Sequence, residues 1–282
     1  HTGFVTGRHG IDNVITLDTP ARIHDHLAGC TSSPPTELLP TLNLYDFCAA
    51  FPSVAHEFIF IVLAALNIPQ GLLMFLKSLY SNVNCVSCFD GVTIFLYLIQ
   101  SGIIQGCPAS GSIFVLVVDG FLKALNVMSQ DTTTRAFADD IGSVIPSLDL
   151  IPKFYRAFNV FERISGLGLK ANKCVLIPLG RPLTPTLAQE IREYLTKHCP
   201  KWATFNIRAA SEYLGFIIGP DGGNDASWEK AFNNYNTTVD QIANAKLAPP
   251  AGIALYNPTA LPTLSYTPLP VASTHLRAHD HA

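Results

Sequence analysis

The stretch Ala136-Phe137-Ala138-Asp139-Asp140-Ile141-Gly142-Ser143-Val144 sets two adjacent carboxylates between two short apolar runs. The runs read as strands over Arg135 to Ala138 and Ile141 to Ile145, joined by a tight turn, and an Asp pair is good turn chemistry. Neighbouring carboxylates also repel, and a divalent cation is the usual relief. A second aspartate, Asp46, ends another strand candidate, Leu42 to Phe47. Hard oxygen donors of this kind suit Mg²⁺ or Mn²⁺, and three carboxylates on two strands can serve a pair of ions in phosphoryl transfer.

Around these strands the chain mixes hairpins with helices. Val86 to Leu98 is apolar and broken by the turn pair Asp90-Gly91, and Tyr213 to Ile218 reads as a further strand. Ile151, Phe154, Phe158 and Phe161 recur at helical spacing between Pro152 and Ser165-Gly166. Leu187, Ile191 and Leu195 mark a helix over about 186–197. A third follows an Asp225 or Ser227 cap and carries Trp228, Phe232, Tyr235, Val239 and Ile242. Periodicity fades after residue 246, which predicts loose packing there. Hairpins and helices in irregular order predict an α+β fold.

The chain has 282 residues, 48% apolar and 14% charged, with a net charge of −3. This excludes extended disorder and, taken as an average, argues against nucleic acid. The average conceals a division. Residues 1–150 carry 5 basic and 12 acidic side chains, whereas residues 151–210 carry 10 and 3. The basic segment is either a solvated helix face or a contact for a polyanion.

The uncharged run from Phe58 to Leu76 is long enough to span a bilayer, which makes a polytopic membrane protein one alternative. Asn67-Ile68-Pro69 interrupts it, so two short helices joined by a turn fit better. No signal-peptide pattern follows His1, and the seven cysteines form an odd, irregular set, so an intracellular, nuclear or cytoplasmic protein is expected. Cys85 and Cys88 have the gap of a zinc half-site without a second pair, and His24, His26 and Cys30, or His275, His279 and His281, are weaker ligand sets.

Six segments together resemble the reverse transcriptases of non-LTR retroelements. LNLYDFCAAFPSVAHEFI (42–59) resembles motif A, SGIIQGCPASGSIF (101–114) motif B and AFADDIG (136–142) motif C. GFVTGRHGIDNV (3–14) is similar to the fingers-region motif, SGLGLKANKCVLI (165–177) to motif D and SEYLGFIIG (211–219) to motif E. The resemblance implies a right-hand polymerase palm, an antiparallel sheet backed by helices. Partial fingers would occupy 1–40, the palm 41–220, and thumb-like helices with an irregular tail 221–282.

It implies an RNA-directed DNA polymerase that takes an RNA template, a DNA primer and dNTPs and uses two Mg²⁺ or Mn²⁺ ions. Asp46 and Asp139 would be the principal metal ligands, with Asp140 beside them and the Phe47 carbonyl on the nucleotide-side ion. Phe51 would lie under the incoming sugar and exclude a 2′-hydroxyl. Gln105 and Gly106 would line the base pocket, Arg8 would touch phosphate, and Lys173, with Lys170 nearby, would protonate the pyrophosphate. Ala49 and Pro52 stand where the family commonly has a lysine and an acid. That departure sustains a second alternative, a catalytically inactive RNA-binding module of the same fold.

Overall fold

The computed structural model describes residues 1–30, 34–220 and 224–265. A central sheet runs in the order β4-β5-β1-β6-β7, formed by β1 (Thr41–Tyr45), β4 (Thr133–Phe137), β5 (Asp140–Ile145), β6 (Val175–Pro178) and β7 (Asn206–Ile207). It is antiparallel except for its last pair, β6 and β7, which run parallel. All five residues of β1 are buried because both faces of the sheet are covered. Strand alternation sends Leu42 and Leu44 to one face and Tyr45 to the other.

The first face packs on α1 (Gly10–Gly29) through Val14, Leu17 and Ala21, and on the small hairpin of β8 (Ser211–Tyr213) and β9 (Phe216–Ile218). The predicted single strand Tyr213 to Ile218 is therefore two, with Leu214 in the left-handed region beside Gly215 at their turn. Helix α1 escapes sequence reading because Pro20 lies inside it and its buried stripe includes Asn13 and Asp18.

The second face carries the helices. After α2 (Ala50–Ser53) come α3 (His56–Ala65) and α4 (Gln70–Tyr80), then α5 (Ser110–Asn126), α6 (Ile151–Ser165) and α7 (Pro185–His198). In α6, Phe154, Phe158 and Phe161 lie at helical spacing and are all buried. The Phe158 ring sits 4.6 Å from Tyr45, and Phe161 stacks on Phe121 of α5 at 4.0 Å. Each such ring contributes about 1.5–3 kcal/mol by burial, so these contacts fix α5 and α6 against β1, the strand that leads into Asp46. Thr184 caps α7 by accepting from the Leu187 amide at 3.2 Å, with Pro185 at the first helical position.

The Phe58 to Leu76 run is split between α3 and α4 at Asn67, which takes a left-handed conformation. Among the described residues no helix is long and apolar enough to cross a membrane. The hairpin of β2 (Asn84–Phe89) and β3 (Val92–Leu98) turns at Asp90-Gly91, as its sequence predicts, and stands away from the core.

At the C-terminal end α8 (Asn224–Asn244) starts earlier than its apolar spacing predicts, so Asp225 and Ser227 lie within it and not at its cap. After residue 246 the chain is helical as far as residue 265. There α9 (Pro249–Thr259) and α10 (Leu261–Ser265) touch α8 and each other. Yet α9 buries no residue and Ile253, Leu255 and Leu261 stay exposed, in keeping with the expected loose packing. His275, His279 and His281 lie outside the described residues.

Candidate active site

Sheet register assembles the acidic end. Tyr45 pairs with Ile141, so one further step places Asp46 opposite Asp140. On its other side β1 pairs with β6 as far as Leu44 and Val175, and the turn at residues 171–173, closed by the Lys173 amide donating to the Lys170 carbonyl at 2.8 Å, brings Lys173 to Asp46. Directly opposed residues share a face. Asp46 therefore stands just beyond the strand end between a carboxylate and an ammonium, and Lys173 Nζ lies 3.5 Å from Asp46 Oδ2. The two side chains are 58% and 37% exposed, which limits the pair to about 1 kcal/mol or less. It opens at little cost.

The β4–β5 turn corrects the sequence expectation by one residue. Phe137 pairs with Asp140, so the two-residue connection is Ala138-Asp139 and Asp140 is the first residue of β5. Ala138 has φ = 52°, a conformation that L-residues other than Asn and Asp seldom adopt. Asp139 thus sits at the tip. Desolvation, with repulsion from Asp139 and Asp46, raises the Asp140 carboxyl to about 6. The Asp140 carbonyl accepts from the Tyr213 hydroxyl at 3.4 Å.

Asp46 is held from behind by the segment around Lys170. The Lys170 amide donates to the Asp46 carbonyl at 2.8 Å and the Cys48 amide to the Gly168 carbonyl at 2.8 Å, with Phe47 bridged to Leu169 between them. In that arrangement Phe47 belongs to a non-hydrogen-bonded pair, so its carbonyl faces away from the Leu169 strand. The Phe47 ring is buried near Phe158 and Phe161. Cys174, fully buried, accepts from the Asp46 amide at 3.4 Å, and burial pushes its thiol up to about 12.

Phe51 stacks on Phe114 of α5 at 4.6 Å and meets Phe4 edge-on at 6.1 Å. Phe4 fits there because residue 111 is glycine; a Cβ would come within 2.6 Å of its ring. The Phe51 carbonyl accepts from the Ile103 amide at 2.8 Å, which brings the loop bearing Gln105 and Gly106 up to Phe51. Gln105 is exposed, and Gly106, at φ = 86°, opens onto free space. Arg8 donates to the His1 carbonyl at 2.8 Å in an exposed position.

The donors at this end of the sheet are carboxylate and carbonyl oxygens, a type that suits a hard divalent cation, and the Asp140 carboxyl is raised first by desolvation and then by repulsion from Asp139 and Asp46. Among the described residues no three His, Cys, Asp or Glu side chains converge as a ready ligand cluster, and this applies equally to Cys85 and Cys88 and to His24, His26 and Cys30.

The basic segment is divided among several neighbourhoods. Lys170 and Lys173 border Asp46, Lys201 pairs with Glu162 at 3.0 Å, Lys153 and Arg156 rim a groove among the helices, and Lys197 lines a separate pocket beside Glu190 and Glu193. Sequence reading missed Phe4, Cys174 and Tyr213 as supports of the site. All three lie inside the quoted motif segments, but as apolar or aromatic residues they resemble core filler until the fold shows what they touch.

A reverse transcriptase (RNA-dependent DNA polymerase) family model matches residues 16–218. The Pol polyprotein of the type-1 retrotransposable element R2 of Bradysia coprophila is 24% identical over 232 residues, covering 78% of this chain and 26% of that protein. The polyprotein of the type-2 element R2DM of Drosophila melanogaster is 28% identical over 188 residues, covering 64% of this chain and 17% of that protein. The chain thus spans about a quarter or less of these relatives' length. The apo telomerase structure from Candida tropicalis, truncated from its C-terminal domain, matches 74% of this chain and 38% of its own length at 12% identity and a TM-score of 0.49. With motifs A to E in order across the matched region, the chain belongs to the reverse transcriptase family and is a domain of the non-LTR retroelement type.

Proposed function

We propose that the acidic end of the sheet catalyses template-directed addition of dNTPs to a DNA primer on an RNA template. The observation that carries the reading is the end of the sheet where the β1–β5 register brings Asp46 to Asp140 and Lys173 pairs with Asp46 at 3.5 Å, on segments whose sequences stand in the family's order. In this reading residues 1–40 belong to the fingers, 41–220 form the palm, and the helices from residue 224 take the thumb position.

Asp46, Asp139 and the Phe47 carbonyl would hold Mg²⁺ or Mn²⁺. Two such ions supply charge neutralisation at the triphosphate and activation of the primer oxygen. The protein's own groups do the rest. Asp140 adds negative charge beside the ligands, and its raised carboxyl makes that charge depend on pH.

Phe51, wedged between Phe4 and Phe114, forms a rigid floor for the sugar and rejects a 2′-hydroxyl by bulk. Gln105 and Gly106 contact the base and template side, with the glycine allowing close backbone approach. Lys173 leaves Asp46 and donates its proton to the pyrophosphate oxygen as the P–O bond breaks, general-acid assistance at the leaving group. Arg8 reaches phosphate by giving up its bond to the His1 carbonyl.

The test is primer extension by the purified chain on an annealed RNA template and DNA primer with dNTPs and Mg²⁺ or Mn²⁺. Extension by single templated nucleotides is expected. Salt-sensitive RNA binding without extension in either metal would instead favour the non-catalytic module, the reading motivated by Ala49 and Pro52.

A further inference from the structure

Among the described residues the helical layer leaves an uncovered groove of about 580 Å³ between α3, α5 and α6. Two helix ridges line it. Val117, Gly120, Phe121, Ala124 and Met128 form the α5 ridge, and Lys153, Arg156, Ala157, Val160 and Ile164 the α6 ridge. The α5 residues Val117 to Ala124 follow the spacing i, i+3, i+4, i+7 over about 10 Å, with Met128 just past the helix end. The α6 ridge continues to i+11 over about 16 Å at 1.5 Å per residue. Phe58 and Val62 of α3 close the third side.

The floor is low because Gly120, Ala124 and Ala157 are small, and a Cβ on Gly120 would meet nothing within 4 Å. Val160 and Ile164 remain 56% and 52% exposed, a sizeable apolar cost in water for a helix whose opposite side is packed with phenylalanines.

Charge identifies the occupant. Lys153 and Arg156 stand one turn apart at one end of the α6 ridge, neither forms an ion pair among the described residues, and no acidic residue lines the groove. A single anionic head group would satisfy one end and leave most of the stripe uncovered. A helix with an apolar stripe and two carboxylates one turn apart covers the whole length.

We propose that this groove docks an amphipathic α-helix of another polypeptide, with its apolar stripe against α5 and α6 and flanking Asp or Glu residues paired to Lys153 and Arg156. The site lies on the helical side of the sheet and is independent of the nucleotide reading.

Fluorescence anisotropy of the full chain with two labelled probe helices of about 18 residues tests this, a length adequate for helix formation. Both carry Leu at i, i+3, i+4, i+7 and i+11; one has Glu beside the stripe, the other Lys. The Glu probe is expected to bind at least about tenfold tighter, a difference on the scale of two interfacial charge contacts. The double variant Lys153→Glu/Arg156→Glu, altered only at exposed positions, should invert that order. Gly120→Leu, which fills the floor, should weaken both probes.

Equal affinity for the two probes, no binding of either, or indifference to the charge reversal overturns the proposal. Preferential uptake of oleate that the charge reversal abolishes would assign the groove to a lipid and also overturns it. So would sedimentation showing a dimer of this chain that Gly120→Leu dissolves.

Discussion

The molecule contains two hairpins closed by two-residue turns that include aspartate, and they obey different rules. In β2–β3 the turn is Asp90-Gly91, with φ of 50° and 76°, residues suited to a type I′ turn that matches strand twist. Its strands are exposed almost throughout, including Phe89 at 78%. In β4–β5 the turn is Ala138-Asp139, where alanine takes the left-handed position that glycine fills more cheaply, and the returning strand is buried from Ile141 onward. Local preference fully explains Asp90. It does not explain Asp139, whose turn is held by tertiary packing, with Gly3 closely approaching Ala138 and Phe137 lying against Gly10. Strain of this kind, beside crowded carboxylates, is characteristic of functional sites.

The largest expected effect comes from exchanging the two aspartates' fates. Asp139→Ala should lower the rate of primer extension by about a thousandfold or more, the scale of losing a principal electrostatic group at a reaction centre, while Asp90→Ala leaves it unchanged. Lys173→Met should lower single-turnover extension by about a hundredfold and flatten the alkaline limb of the pH profile, as removal of a general acid does. Phe51→Val should improve use of ribonucleotides relative to dNTPs by about tenfold or more through relief of steric exclusion, measured as a ratio of kcat/KM values.

The pH dependence of stability separates the hairpins further. The Asp140 carboxyl titrates near 6 in the folded chain against 3.8 for an unperturbed one. Between those values the folded chain binds more protons than the unfolded chain, so this group's contribution to stability falls as pH rises through that window. Asp140→Asn should flatten that part of the denaturation profile. The smallest effects belong to the turns. Ala138→Gly should stabilise by up to about 1 kcal/mol, relief of left-handed strain less the entropy of glycine, whereas Gly91→Ala should cost about 1 kcal/mol with extension unaffected.

Much of this was legible in the sequence, and the failures have physical causes. Periodicity located α6 and α7 nearly to the residue because each buries a single apolar stripe against the sheet. It missed α1, whose contact face is interrupted by Asn13, Asp18 and Pro20, and it merged β8 with β9 because a turn of Leu214-Gly215 hides in an apolar run. The chemistry-bearing residues Asp46, Asp139, Asp140 and Lys173 were readable as types in order. Their proximity was not, since it depends on the register of β1 with β5 and on the turn at residues 171–173 that carries Lys173 to Asp46. The basic segment misled for the converse reason. Adjacent in sequence, its side chains are distributed over α6, α7 and the loops, beside different neighbours.

The most direct test is a side-by-side measurement of Mg²⁺-dependent primer extension on an RNA template by the Asp139→Ala and Asp90→Ala chains. The account predicts extension abolished by the first substitution and undiminished by the second. Robust extension by Asp139→Ala, or equal loss in both, would contradict it.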